Sequence, residues 1–163
     1  MGVIVRPTTN EDHQLLSDLL VRRWTSPQIL IDGDLIDASR LPGFLAMDKG
    51  ELAGAVTVIK REREWEILTL DSLHRWGGIG TSLLDAVVKE ALEYQIPRLL
   101  VRTSNDNLDA FRFYQRRRFR LEKVVPDVID EERKLKPEIP LSGLYGIPLH
   151  DEVIFSRDLR EGE

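Results

Sequence analysis

Residues 75–88 read RWGGIGTSLLDAVV. Gly77, Gly78 and Gly80 stand directly before Leu83, Leu84, Val87, Val88 and Ala91, which recur at helical spacing and predict a helix over residues 81–94. Residues 65–72, just upstream, read as a strand. A strand, a glycine-rich turn and a helix start together make an anion site. The first amides of a helix point outward without intrahelical acceptors, and the helix dipole adds positive potential. Two phosphate loops fail against this stretch. The pattern G-x-x-x-x-G-K-[ST] needs a lysine, and none follows Gly80. The pattern G-x-G-x-x-G accommodates Gly78 and Gly80 but meets Leu83 at its third position. The strands before the loop are also linked by hairpins rather than by a βαβ crossover.

Outward from the loop, the chain reads as one α+β domain over residues 1–163. Strands are expected at residues 3–6, 43–47, 52–60 and 65–72, with Asp48-Lys49-Gly50-Glu51 as a hairpin turn. Thr9 and Asp12 offer a capping box for a helix carrying Leu15, Leu16, Leu19, Leu20 and Trp24. Residues 26–42 read as irregular with a short helix-like end. Downstream, RLLVRTS at 98–104 is a nearly continuous apolar strand of the buried kind. Asn105-Asp106-Asn107 supplies N-cap side chains for a short helix containing Leu108, Phe111 and Tyr114. Residues 119–125 and 153–156 read as strands, and residues 126–150 as a long, proline-stiffened loop.

Composition narrows the partners. Twenty-eight acidic residues against 23 basic ones leave a formal net charge of −5, which argues against a nucleic-acid binder. The chain has no cysteine, so disulfides, thiolate nucleophiles and Cys-ligated zinc are excluded. No apolar run is long enough for a bilayer and no signal-peptide core opens the chain, so a cytoplasmic protein without membrane partners is expected. His13, His74 and His150 are scattered, and no metal is expected.

The pattern Arg75-x-x-Gly78-x-Gly80 resembles the acetyl-CoA signature of the GNAT superfamily of N-acetyltransferases, [Q/R]-x-x-G-x-[G/A]. A second landmark, NDNLDAFRFYQRRRF at 105–119, is similar to that family's N-x-x-A-x-x-x-Y followed by a Gly-Phe turn. The resemblance covers essentially the whole chain. It implies a mixed, mostly antiparallel central sheet flanked by helices, the acyl-CoA N-acyltransferase fold. It also implies acetyl-CoA as cosubstrate, an amine of a small molecule or peptide as acceptor, and direct transfer in a ternary complex.

Acetyl transfer needs a held thioester, a deprotonated amine, a stabilised oxyanion and a proton for the leaving thiolate. By the resemblance, Gly77, Gly78, Ile79, Gly80 and Thr81 hold the pyrophosphate, with Trp76 in the same loop and Arg75 adding charge or only solvating it. The strand backbone near Leu70, from Thr69 to Ser72, pairs with pantetheine, and the Leu70 amide is the oxyanion donor. Asn107 anchors pantetheine or is simply a helix cap. Tyr114 matches the general acid. Strand alternation would put Glu66, Leu68 and Leu70 on one face, which makes Glu66 the candidate base, with Asp71 as the fallback. One departure is Arg118, where relatives carry a glycine in the left-handed region at a cost of about 1 kcal/mol for arginine. The basic run at 116–120 either touches the 3′-phosphate or solvates a helix end. A homodimer is compatible with the family. A catalytically silent acyl-CoA-binding module on the same fold is the other reading, because it needs the same loop.

Overall fold

A computed structural model of the chain describes residues 2–74 and 77–160. The chain forms two compact units, residues 1–97 and 98–163.

The first unit contains β1 (Ile4–Pro7), α1 (His13–Trp24), β2 (Gln28–Ile31), β3 (Asp34–Asp37), β4 (Gly43–Asp48), β5 (Glu51–Lys60), β6 (Glu64–Ser72) and α2 (Ile79–Glu93). Strands β1, β4, β5 and β6 are neighbours in that order, each pair antiparallel. Strands β2 and β3 make a separate hairpin across residues 26–42, where the sequence suggested irregular chain. Its turn is Asp32-Gly33, both with positive φ (51° and 85°), as a two-residue hairpin turn of matching twist requires. Lys49-Gly50 repeats the device between β4 and β5, at 52° and 81°.

The two faces of this sheet carry different helices. Leu16 and Leu19 of α1 pack on Leu45 and Ala55, while Leu20 packs with Ile31, Ala38 and Leu68. Residue 54, one position from Ala55, points the opposite way. A Cβ there would stand 2.8 Å from Ile79 Cγ2 and 2.6 Å from the Asp71 carbonyl oxygen. Glycine at 54 therefore lets the first turn of α2 lie directly on the strands. Leu83, Leu84, Val87 and Ala91 continue that buried stripe. Lys60 and Glu90 close its far end with a 2.6 Å ion pair.

The second unit contains β7 (Arg98–Ser104), α3 (Leu108–Gln115), β8 (Arg120–Val125), α4 (Val128–Leu135) and β9 (Glu152–Asp158), with β9 paired antiparallel to both β7 and β8. Helix α4 corrects the expectation of a long loop without helix over 126–150. Its pattern is short and strongly charged: Asp127 at the N-cap has φ of 65° and makes no side-chain cap bond, while Asp130 and Glu131 in the first turn and Arg133 and Lys134 in the last suit the helix dipole. Arg133 holds the return: its guanidinium donates to the carbonyls of Ile139, Pro140 and Leu149.

Two helices end in the same way without glycine. After α2, Ile96 N–H bonds the Ala91 carbonyl at 2.9 Å and Gln95 N–H bonds Leu92 at 3.1 Å, with Gln95 at φ 58°. After α3, Phe119 N–H bonds Tyr114 at 3.0 Å and Arg118 N–H bonds Gln115 at 3.3 Å, with Arg118 at φ 74°. Both are Schellman stops, whose left-handed position favours glycine. The accompanying apolar contact is present after α3, where the Phe119 and Tyr114 rings lie 5.2 Å apart. Gln95 is exposed and its side chain spans solvent. Gln95→Gly is expected to stabilise the fold by up to about 1 kcal/mol, read as a rise of roughly 2–4 °C in thermal midpoint. An unchanged or lower midpoint would show that the left-handed stop carries no strain.

Candidate functional site

Helix α2 begins at Ile79, two residues before the expected start, because Gly77 and Gly78 take φ of 101° and 71°. Gly78 is the N-cap, and the first ladder bond runs from Ser82 N–H to the Gly78 carbonyl at 2.9 Å. The amides of Ile79 and Gly80 thus precede the ladder. A Cβ at Gly77 or Gly78 would meet no heavy atom within 4 Å. Backbone conformation therefore requires these two glycines, and the space beside them is open. Ile79 is buried and anchors the turn, Gly80 and Thr81 are half-buried, and Gly77 and Gly78 are exposed. Arg75 and Trp76 lie outside the described residues.

Strand β6 leads into this loop, and its register departs from simple alternation. Leu70 pairs with Val56 and Thr69 with Thr57, but Ile67 pairs with Val58 and Glu66 with Ile59. Leu68 is the extra residue of a bulge. Cross-strand partners share a face, so Glu66 follows Ile59 whereas Leu70 follows Val56, and these lie on opposite faces of β5. The expectation that Glu66 and Leu70 point the same way is corrected by that one inserted residue. Glu66, Leu68, Thr69 and Asp71 all lie on the α1 face, while Leu70 and Ser72 lie on the α2 face.

The two carboxylates differ in environment. Glu66 is fully buried, and Arg61 Nη1 donates to its Oε1 at 2.9 Å. Asp71 is half-buried; burial pushes its pKa above the usual carboxylate value, against the hydrogen bond donated by Trp24 Nε1 at 3.0 Å. Arg23 of α1 donates to the Ser72 carbonyl at 2.7 Å, and Ser72 Oγ donates to the His74 carbonyl at 2.6 Å. The end of β6 is thus tied to the end of α1 by two neighbouring side chains. Leu70 itself is half-buried.

In the second unit, the three residues of Asn105-Asp106-Asn107 divide their work. Only Asn107 caps α3, its Oδ1 accepting from Ala110 N–H at 3.1 Å. Asn105 Oδ1 accepts the amides of His150 and Asp151, and its Nδ2 donates to the Pro148 carbonyl. Asp106, buried, accepts from Ser104 Oγ and from Leu144 N–H. A Cβ at Gly143 would collide with that carboxylate, so the loop approaches it without a side chain. The sequence offers these two pinning residues only as capping candidates. Tyr114 sits at the buried end of α3, its ring against Phe113, Phe119 and Phe155. Among the described residues no three His, Asp or Glu side chains gather as a metal site, and no helix is long and apolar enough to cross a membrane.

With this geometry in hand, comparison with known proteins is informative. Residues 9–119 match the model of the Acetyltransferase (GNAT) family. The Bacillus subtilis (strain 168) protein YdhI is 34% identical over 156 residues, covering 95% of this chain and 98% of that one. Among solved structures, an IAA acetyltransferase from Bacillus cereus ATCC 14579 superposes with a TM-score of 0.71 at 19% identity, covering 96% of this chain and 99% of that one. A GNAT family acetyltransferase from Elizabethkingia anophelis with acetyl-CoA bound gives 0.69 at 18%, covering 96% and 98%. At those identities the structural likeness carries the fold: a mixed, mostly antiparallel sheet flanked by helices.

The late segment adds a titratable group. Burial, and then the charge of Glu152, raise the pKa of Glu132 on α4 to about 7. The folded state therefore keeps a proton that the unfolded chain releases near its ordinary value of 4.5. Unfolding releases this proton between those values, so the group's contribution is full below 4.5 and lost as pH rises to about 7. Glu132→Gln is expected to flatten that slope and to leave the protein roughly 1–3 kcal/mol more stable than the parent above neutrality, measured by urea unfolding against pH. Parallel curves for the two proteins would refute the assignment.

Proposed function

Because this chain belongs to the GNAT acetyltransferase family, we propose that it is an acetyl-CoA-dependent N-acetyltransferase acting on the amine of a small molecule or peptide. Transfer is direct, within a ternary complex. The single observation that carries the reading is the Gly77-Gly78 turn: two left-handed residues, open space beside them, and a helix start held close to the sheet by Gly54. Backbone amides at 77–81 would hold the pyrophosphate, the helix dipole adding to them. Arg75 and Trp76 would complete that loop. Leu70 and Ser72 would pair with pantetheine through their backbones, the Leu70 amide facing the developing oxyanion, and Asn107 would assist from the cap of α3.

Bound acetyl-CoA supplies a thioester carbonyl. The acceptor nitrogen attacks that carbon, the C–S bond breaks, and two protons must be placed. The ammonium proton leaves to a carboxylate before attack. Support now favours Asp71 over Glu66, because Glu66 is sealed from solvent and already neutralised by Arg61, whereas Asp71 is part-exposed with a raised pKa. Glu66 then serves to fix β6. The thiolate takes its proton from the Tyr114 hydroxyl, whose ring is immobilised by three neighbours, and the second proton that the nitrogen sheds as it becomes an amide restores that hydroxyl. The competing reading, a silent acyl-CoA-binding module, keeps the loop and needs neither acid nor base.

Release of free thiol from acetyl-CoA, measured across amines, amino acids and peptides, separates the two. Because the chain has no cysteine, the thiol signal belongs to the coenzyme alone. Turnover with at least one acceptor is expected, and binding of acetyl-CoA without turnover on any acceptor would favour the silent module. With an active acceptor, Tyr114→Phe should lower the chemical step by roughly 10²-fold with acetyl-CoA affinity unchanged. An unchanged rate would return Tyr114 to the core.

The two carboxylates are distinguished by pH–rate profiles. Asp71→Asn should depress kcat/KM near neutrality and recover in part at high pH, where free amine is abundant. Glu66→Gln should lower stability yet keep the parent's profile. The opposite pattern would restore Glu66 as the base.

A further inference from the structure

A cavity of about 310 Å³ lies where β1 ends, walled by Thr8, Thr9, Asn10, His13, Leu16, Ser39, Arg40, Leu41 and Pro42. Leu16 places it on the α1 face of the sheet. The glycine turn and α2 lie on the other face, where Gly54 meets Ile79. The cavity is therefore separate from the loop assigned to the coenzyme.

The polar part of its wall is held in place. Asp37 Oδ1 accepts from both the Oγ and the N–H of Ser39, and Ser39 is almost wholly buried. The serine has thus given its only hydroxyl proton to the carboxylate. His13 Nδ1 lies 2.9 Å from Ser39 Oγ, so in this contact Nδ1 must be the donor. The second contact of Nδ1, with the Ser39 carbonyl at 3.5 Å, demands the same. The chain Asp37–Ser39–His13 fixes the tautomer and leaves Nε2 as the nitrogen available to a ligand.

Charge decides what that ligand is. Among the described residues, His13 and Arg40 are the only titratable side chains on the wall, and both are basic. The nearby acids are already paired, Asp37 with two groups of the wall itself. Asp12 is gripped by both terminal nitrogens of Arg6, at 2.9 and 2.8 Å, and Asp37 by Ser39 and, at 3.4 Å, by Arg40 Nε. Leu16, Leu41 and Pro42 make an apolar floor that an inorganic anion would not use. We propose that this cavity is a second ligand site, taking a small organic monocarboxylate whose anionic end meets His13 and Arg40 and whose apolar body lies on Leu16, Leu41 and Pro42.

A carboxylate accepts but does not donate, so Nε2 must carry a proton in the complex. In the complex both ring nitrogens of His13 therefore donate, in a field set by Arg6 on β1, Glu11 and Asp12 before α1, Asp37 at the end of β3 and Arg40 just after it. Isothermal titration of the full chain with benzoate, benzamide and acetate tests the proposal. Benzoate is expected to bind at least tenfold tighter than benzamide, which lacks the charge, and than acetate, which lacks the body. Its heat should vary with the ionisation enthalpy of the buffer, reporting proton uptake. Arg40→Ala, at an exposed side chain, should weaken benzoate roughly threefold to tenfold, and His13→Gln should abolish the buffer dependence. Acetyl-CoA affinity should stay at the parent value in both variants, which keeps this test independent of the acetyltransferase reading. Equal affinity for benzoate and benzamide, no saturable benzoate binding, or parental benzoate binding in Arg40→Ala would each overturn the proposal.

Discussion

The extra residue in β6 governs how chemistry is distributed over the first unit. Were Leu68 an ordinary ladder residue rather than a bulge, simple alternation would carry Glu66 to the face of Leu70 and Ser72, the face that α2 covers. With it, the carboxylates of β6 fall on the α1 side and the residues leading into the glycine turn keep their backbones beside α2. A bulge also sharpens the local twist of the strand that bears it. Leu68 itself is absorbed by the core around Leu20 and Ala38, so the insertion is secured by burial. The buried pair of Thr57 and Thr69 hydroxyls, 2.6 Å apart, holds the register immediately beyond it. One side of the sheet thereby receives the Glu66 and Asp71 carboxylates and the other a helix start.

Much of this was legible in the residues. The helix after the glycines, the β4–β5 hairpin and the short helix at Leu108 all carry strong local signals: apolar periodicity, a lysine-glycine turn, an asparagine cap. The β2–β3 hairpin was equally announced by Asp32-Gly33 between two apolar runs, and reading residues 26–42 as irregular overlooked it. The bulge was not legible, because insertion of one residue changes no composition and no period over so few positions. The burial of Glu66 was hidden for a related reason. In the charged stretch REREWE, nothing in the sequence separates the carboxylate that turns inward to Arg61 from those that remain in water.

The second unit shows a different limit. Asn105, Asp106 and Arg133 each satisfy backbone groups 6 to 46 positions away, so their roles depend on a fold already formed. Such long-range side-chain bonds let a proline-rich segment hold a definite path with little secondary structure of its own. They also reinforce α4, whose local signals are Asp127 at the N-cap and charges that suit the helix dipole. It docks through His150 and Asp130, 2.9 Å apart, and through Arg133.

The bare Cα of Gly54 has a genetic corollary. Position 54 is mid-strand and distant in the chain from residues 77–81, yet any side chain there would push against Ile79 and the Asp71 carbonyl. In a screen for lost activity, substitutions at 54 would therefore group with those of the glycine turn rather than with ordinary core lesions. A map of sensitive positions drawn from such a screen would show the glycine turn extending into the floor of the sheet.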